Sequence, residues 1–162
     1  MFKKIILFLF VVFIIIQFFR PAKNIATEPD AFAHDISTIY SVPDSIHEIL
    51  EASCYDCHSN NTHYPWYNNV QPVAWWLSHH INNGKHGLNF SEFASYRIGK
   101  QYRRFGGIIK EIKSGGMPLS SYTLIHRYAI LSTNQKNMLS DWATQIMDSI
   151  KVNTPADSLA KR

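Results

Sequence analysis

The sequence predicts an all-α fold, and three observations carry that expectation. Ile46, Ile49 and Leu50 recur at helical spacing just ahead of the only two cysteines. Met138, Trp142, Ile146 and Ile150 do the same near the C-terminus, behind a capping box at Ser132-Thr133-Asn134-Gln135. No stretch alternates apolar and polar residues at the two-residue period of a strand. With 162 residues, 46% of them hydrophobic and 14% aromatic, the chain holds one domain plus an anchor or tail. Lys3, Lys4, Arg20 and Lys23 account for the formal charge of +4, which leaves 12 basic and 12 acidic residues from position 24 onward. A body neutral overall argues against a nucleic-acid partner.

Residues 1–20 read as an export signal: Met-Phe-Lys-Lys followed by an apolar run over 5–19 broken only by Gln17. The run is short of the roughly 20 apolar residues of a full span, although Phe2 and snorkelling lysines extend it. Arg20-Pro21 does not resemble a small-residue cleavage site, and Ala31-Phe32-Ala33 lies too far downstream to serve as one. The expectation is therefore an uncleaved N-terminal membrane helix with the body on the extracytoplasmic (periplasmic) face; cleavage and release to the periplasm is the second reading. Residues 21–42 mix Pro, Ala, Asn, Thr, Glu and Asp without periodicity and read as a linker in which His34 is solvated. The domain is expected over 43–152, and residues 153–162 form a polar, frayed tail.

The first helix of the domain, from Asp44 to Ala52, delivers Cys54-Tyr55-Asp56-Cys57-His58. Two cysteines three positions apart with a histidine directly after the second form the c-type haem attachment signature. Each thiol reaches one vinyl group of a single porphyrin to form a thioether, and the adjacent imidazole of His58 is carried to the iron as the proximal ligand. A disulfide between the cysteines would give His58 no role. A thioredoxin-like pair should follow a strand, not a helix, and zinc lacks a second ligand pair at finger-like spacing among His63, His79, His80 and His126.

A loop rich in turn formers and aromatics follows, then a helix with Pro72 in its first turn, read as stopping near Asn82-Asn83-Gly84. Trp66, Trp75 and Trp76 are either core or porphyrin wall. Asn89 or Ser91 caps a short helix through Phe93 and Tyr96. Gly99 to Lys113 is a further helix, broken or kinked at Gly106-Gly107, whose basic run reads as a solvated face, a docking surface for an acidic redox partner, or counter-ions to haem propionates.

Ser114-Gly115-Gly116-Met117-Pro118-Leu119 then places a methionine in a tight loop, poorly situated for core filling. Its thioether is a soft ligand suited to haem iron, which makes Met117 the expected sixth ligand; His63, His80 and His126 stand in reserve.

These residues resemble a known pattern. A helix running into Cys-x-x-Cys-His, a glycine-flanked Met-Pro 59 positions after His58, and a closing amphipathic helix together resemble a class I c-type cytochrome. Asn60-Asn61-Thr62, Tyr64-Pro65-Trp66-Tyr67, Trp75-Trp76, Leu88-Asn89-Phe90-Ser91-Glu92 and Met117-Pro118-Leu119 are similar to the haem-binding domain family of membrane-anchored bacterial proteins, over about residues 40–150. The resemblance implies an all-helical, class I cytochrome c-like domain around one covalent haem c, with Cys54 and Cys57 as thioether donors, His58 proximal and Met117 distal. Protein ligands on both faces of the iron imply a one-electron carrier serving a redox partner protein, not an enzyme. An open or labile sixth position would instead imply a haem-based redox or gas sensor, or a peroxidase-like domain.

Overall fold

The computed structural model describes residues 1–28 and 30–159, and every regular element among them is helical. The α-helices are α1 (Phe2–Ile16), α2 (Asp44–Ser53), α3 (Tyr55–His58), α4 (Val73–Gly87), α5 (Ile98–Ser114), α6 (Ser120–Thr123), α7 (Thr133–Asn153) and α8 (Ala156–Leu159), joined by short 3-10 turns.

The scaffold is the pair α5 and α7. Phe105 and Ile112 of α5 are buried against Leu139, Trp142, Ala143, Ile146 and Ile150 of α7, and Phe105 meets the Trp142 ring edge to face at 5.6 Å. The capping box forms: Ser132 Oγ accepts from Gln135 N at 3.2 Å while Gln135 Oε1 accepts from Ser132 N at 2.9 Å. Ile46, Ile49 and Leu50 of α2, with Phe90 and Phe93 from the 3-10 turn Phe90–Ser95, close the same core. Asn89 caps that turn, its side chain accepting from Ser91 N at 3.1 Å.

Both glycine-marked interruptions are absent. α5 runs through Gly106-Gly107 because glycine weakens a helix by only about 1 kcal/mol and keeps its N–H, while Phe105 and Ile112 on either side are buried. The helix ends about two turns later at Gly115, whose φ of +75° is the left-handed conformation favoured at a C-terminus. α4 likewise continues past Gly84 to Gly87; a Cβ on Gly84 would lie 2.5 Å from the Cys57 carbonyl oxygen, so this glycine lets α4 approach α3.

Three peripheral expectations change. α1 has 15 residues, about 22 Å at 1.5 Å per residue against a hydrocarbon core of about 30 Å, and no described helix is long and apolar enough to cross a membrane. The expected membrane helix is therefore not found. The apolar run leaves the helix early because Gln17 turns to the domain: its Oε1 accepts from Gln71 N at 2.9 Å, and Phe19 O accepts from Gln71 Nε2 at 2.9 Å and Trp75 Nε1 at 2.7 Å. The stretch 21–42 lies on the domain, with Asn24 Nδ2 donating to Ser59 O and Thr62 Oγ1, both at 2.9 Å, and Ile36 fully buried; Pro29 within it lies outside the described residues. In the tail, α8 packs on α5 where a Cβ on Gly99 would meet Ser158 O at 2.6 Å; residues 160–162 lie outside the described residues.

Candidate haem site

A cavity of about 420 Å³ opens between α3, α4, α5 and the loop after α5. Its lining contains Cys54, Cys57, His58 and Met117 together. Cys54 lies at the break between α2 and α3, where φ of −129° interrupts the helix, and both cysteines line the cavity. The two cysteines are not bonded to each other. Burial, and then the neighbouring Cys57, push the Cys54 thiol up to about 12; burial, and then Asp56, push Cys57 up to about 11. Both are protonated thiols at neutral pH, the opposite of a redox-active thiolate pair.

His58 is oriented by its backbone surroundings. Its Nδ1 lies 2.9 Å from Leu88 O, and since a carbonyl only accepts, Nδ1 carries the proton and Nε2 keeps its lone pair. Burial lowers the imidazole pKa, opposed first by the Leu88 carbonyl and then by the nearby Gly84 carbonyl. A neutral imidazole with one nitrogen anchored and the other free is the form that ligates a metal.

Met117 is half-buried, with its N–H donating to Glu111 O at 3.2 Å. Of the reserve histidines, His80 joins the lining, its Nδ1 bonded to Trp76 O at 2.9 Å and its ring 4.3 Å from the Trp76 ring. The His63 side chain is 74% exposed beside Asp56, and His126 stacks on Tyr122. Trp66, Trp75 and Trp76 are not core: all three are exposed, and Trp66 and Trp76 instead line a smaller hollow of about 280 Å³ next to Cys57. Trp142 is the buried tryptophan.

The rest of the wall fits haem on grounds of its own. Leu50, Leu88, Phe90, Ile108, Ile112 and Leu139 make it apolar, as a porphyrin face requires, and a Cβ on Gly107 would meet nothing within 4 Å. Arg104 lines this cavity with its Nε buried and, among the described residues, without a hydrogen-bond partner. An orphaned guanidinium nitrogen in an apolar cavity calls for an anion, and the propionates of haem are such groups. The basic run of α5 hinted at this role but did not single out Arg104. Gly84 and Tyr122 were not legible as site residues, because their roles depend on contacts with Cys57 and Asp56 that local sequence does not reveal.

Comparison with protein families matches residues 11–145 to the Haem-binding domain family. The chain belongs to that family. No curated protein and no solved structure matches it. As a haem-binding domain it binds haem, and the cavity that gathers Cys54, Cys57, His58, Met117 and Arg104 is where its lining suits that cofactor.

Proposed function

We propose that this haem-binding domain is an extracytoplasmic monohaem c-type carrier of single electrons. The observation that supports it most is one cavity lined at once by both thiols, the anchored imidazole and the loop thioether. Bound haem supplies an iron that changes charge by one electron. The chain supplies the rest. The Cys54 and Cys57 thiols would hold the porphyrin as thioethers, each Sγ–H adding across one vinyl double bond with sulfur on one carbon and hydrogen on the other, so that attachment would consume no oxidant. His58 Nε2 and Met117 Sδ would hold the iron, and an imidazole with a thioether would favour a raised reduction potential. Arg104 neutralises a propionate. Two protein ligands to the iron would leave no position for substrate, so the domain would pass electrons to a protein partner. The N-terminal apolar segment serves export, placing the body where haem attachment occurs.

The Met117→Ala variant tests the ligand set. Loss of the sulfur-to-iron charge-transfer band, with carbon monoxide binding to the reduced variant and not to the unmutated protein, is expected. An unchanged spectrum overturns the assignment, and carbon monoxide binding to the unmutated reduced protein would favour a sensor.

A further inference from the structure

The segment from Met117 to His126 covers one side of the haem site, yet packing does not hold it there. α6 buries none of its residues, and Leu124 and Ile125 are 66% and 61% exposed. Among the described residues its side chains are hydrogen-bonded to other parts of the fold at two places. The Tyr122 hydroxyl donates to Asp56 Oδ2 at 2.7 Å, and His126 Nε2 lies 3.3 Å from the Tyr67 hydroxyl. The first is the shorter and is made to a carboxylate, which makes it the stronger.

Both ends of that bond are oriented by further contacts. Asp56 stands between the two attachment cysteines, with Oδ1 accepting from His63 N at 2.9 Å and its backbone carbonyl accepting from Thr62 Oγ1 at 2.7 Å. The Tyr122 ring stacks on His126, centroids 4.2 Å apart and planes 21° off parallel. Tyr122 N and Thr123 N both donate to Leu119 O at 3.0 Å, so wherever Tyr122 is fixed, Leu119 is fixed, two residues from Met117. Asp56 and Tyr122 both line the cavity. Burial, and then Asp56, push the Tyr122 hydroxyl upward, so it remains a donor throughout the neutral range.

We propose that the Tyr122–Asp56 hydrogen bond is the strap that ties the Met117 loop to the haem attachment segment, making Tyr122 and Asp56 positioning residues for the sixth iron ligand. The inference rests on Met117 being that ligand. The attachment segment itself therefore holds the loop closed, and releasing the bond frees the loop without disturbing the thioethers. A single bond to a carboxylate sets the scale: its loss shifts the loop's opening equilibrium by roughly ten- to hundredfold.

The test is Tyr122→Phe in the haem-loaded full chain, which removes the hydroxyl and keeps the stacked ring. Expected are a weakened sulfur-to-iron band, carbon monoxide binding to the reduced variant where the unmutated protein shows none, and amide exchange over residues 117–123 at least about tenfold faster than in the unmutated protein. The attached haem mass should not change. Met117→Ala alongside separates the two failures. If the unmutated protein has the band, Met117→Ala loses it, and Tyr122→Phe matches the unmutated protein in band, carbon monoxide binding and exchange, the strap is overturned and Met117 stands. If the unmutated protein has no such band, Met117 ligation is overturned and the strap with it.

Discussion

The two walls of the cavity are built differently. The attachment wall, α2 to α4, rests on core residues Ile46, Ile49 and Leu50, carries Cys57 and His58 on α3 with Cys54 at the break before it, and is locked by the close approach of Gly84 to the Cys57 backbone. The distal wall, Gly115 to Tyr128, is a loop and short turns with much exposed apolar surface. One wall has little freedom and the other hangs on a few hydrogen bonds. On the proposed function, the first wall would keep the cofactor and the second would set its reactivity.

The largest expected effect concerns the thiols of the first wall. With Cys57 pushed up to about 11 and Cys54 to about 12, alkylation of the folded haem-free chain at pH 8 should run at least about a hundredfold slower than for an ordinary cysteine, whose pKa is about 8.5. The rate should climb about tenfold per pH unit as the thiolate fraction grows. Rapid alkylation at neutral pH would mean an open, reactive pair, and the contrast between the walls would fail.

Arg104 comes next. In haem-loaded protein Arg104→Leu should cost about 1.5–3 kcal/mol, the worth of a hydrogen bond to a charged group. In a chain lacking both cysteines it should cost almost nothing, since its buried Nε has no protein partner to lose. Denaturant midpoints of the two pairs measure the difference; an equal cost in both would remove the propionate role.

A pair of glycines compares the walls directly. In Gly84→Ala the new Cβ would fall on the Cys57 backbone, and overpacking against backbone should cost about 1–3 kcal/mol. In Gly116→Ala on the distal wall the new Cβ meets the Glu111 carboxylate, the free end of a flexible side chain, so the cost should stay below about 0.5 kcal/mol. Thermal unfolding of both reads this out, and a reversed order would contradict the description of the two walls.

The same division explains what the sequence made legible. Cys54, Cys57 and His58 are adjacent in the chain and chemically specific, so their grouping needed no tertiary knowledge. Met117 was readable because two glycines and a proline mark its loop, and the structure brings it to the same cavity. Arg104 was hidden within a run of similar charges, and only the cavity distinguishes it. Tyr122 and Asp56 lie 66 positions apart, a pairing no local pattern encodes. Gly84 and Gly106-Gly107 misled for a single reason: glycine that ends a helix and glycine that admits a neighbour or leaves a cavity open look alike until the neighbour is known. The apolar N-terminus was legible as a helix, but its early end at Ile16 is tied to bonds of Gln17 and Phe19 with Gln71 and Trp75, more than 50 positions away.

The most direct test of covalent attachment is the intact mass of the protein matured with a haem-attachment system, taken under denaturing conditions with alkylating reagent present. One haem retained, with Cys54 and Cys57 both unmodified by the reagent, is the predicted result. Haem lost on denaturation, with both cysteines alkylated, would contradict it.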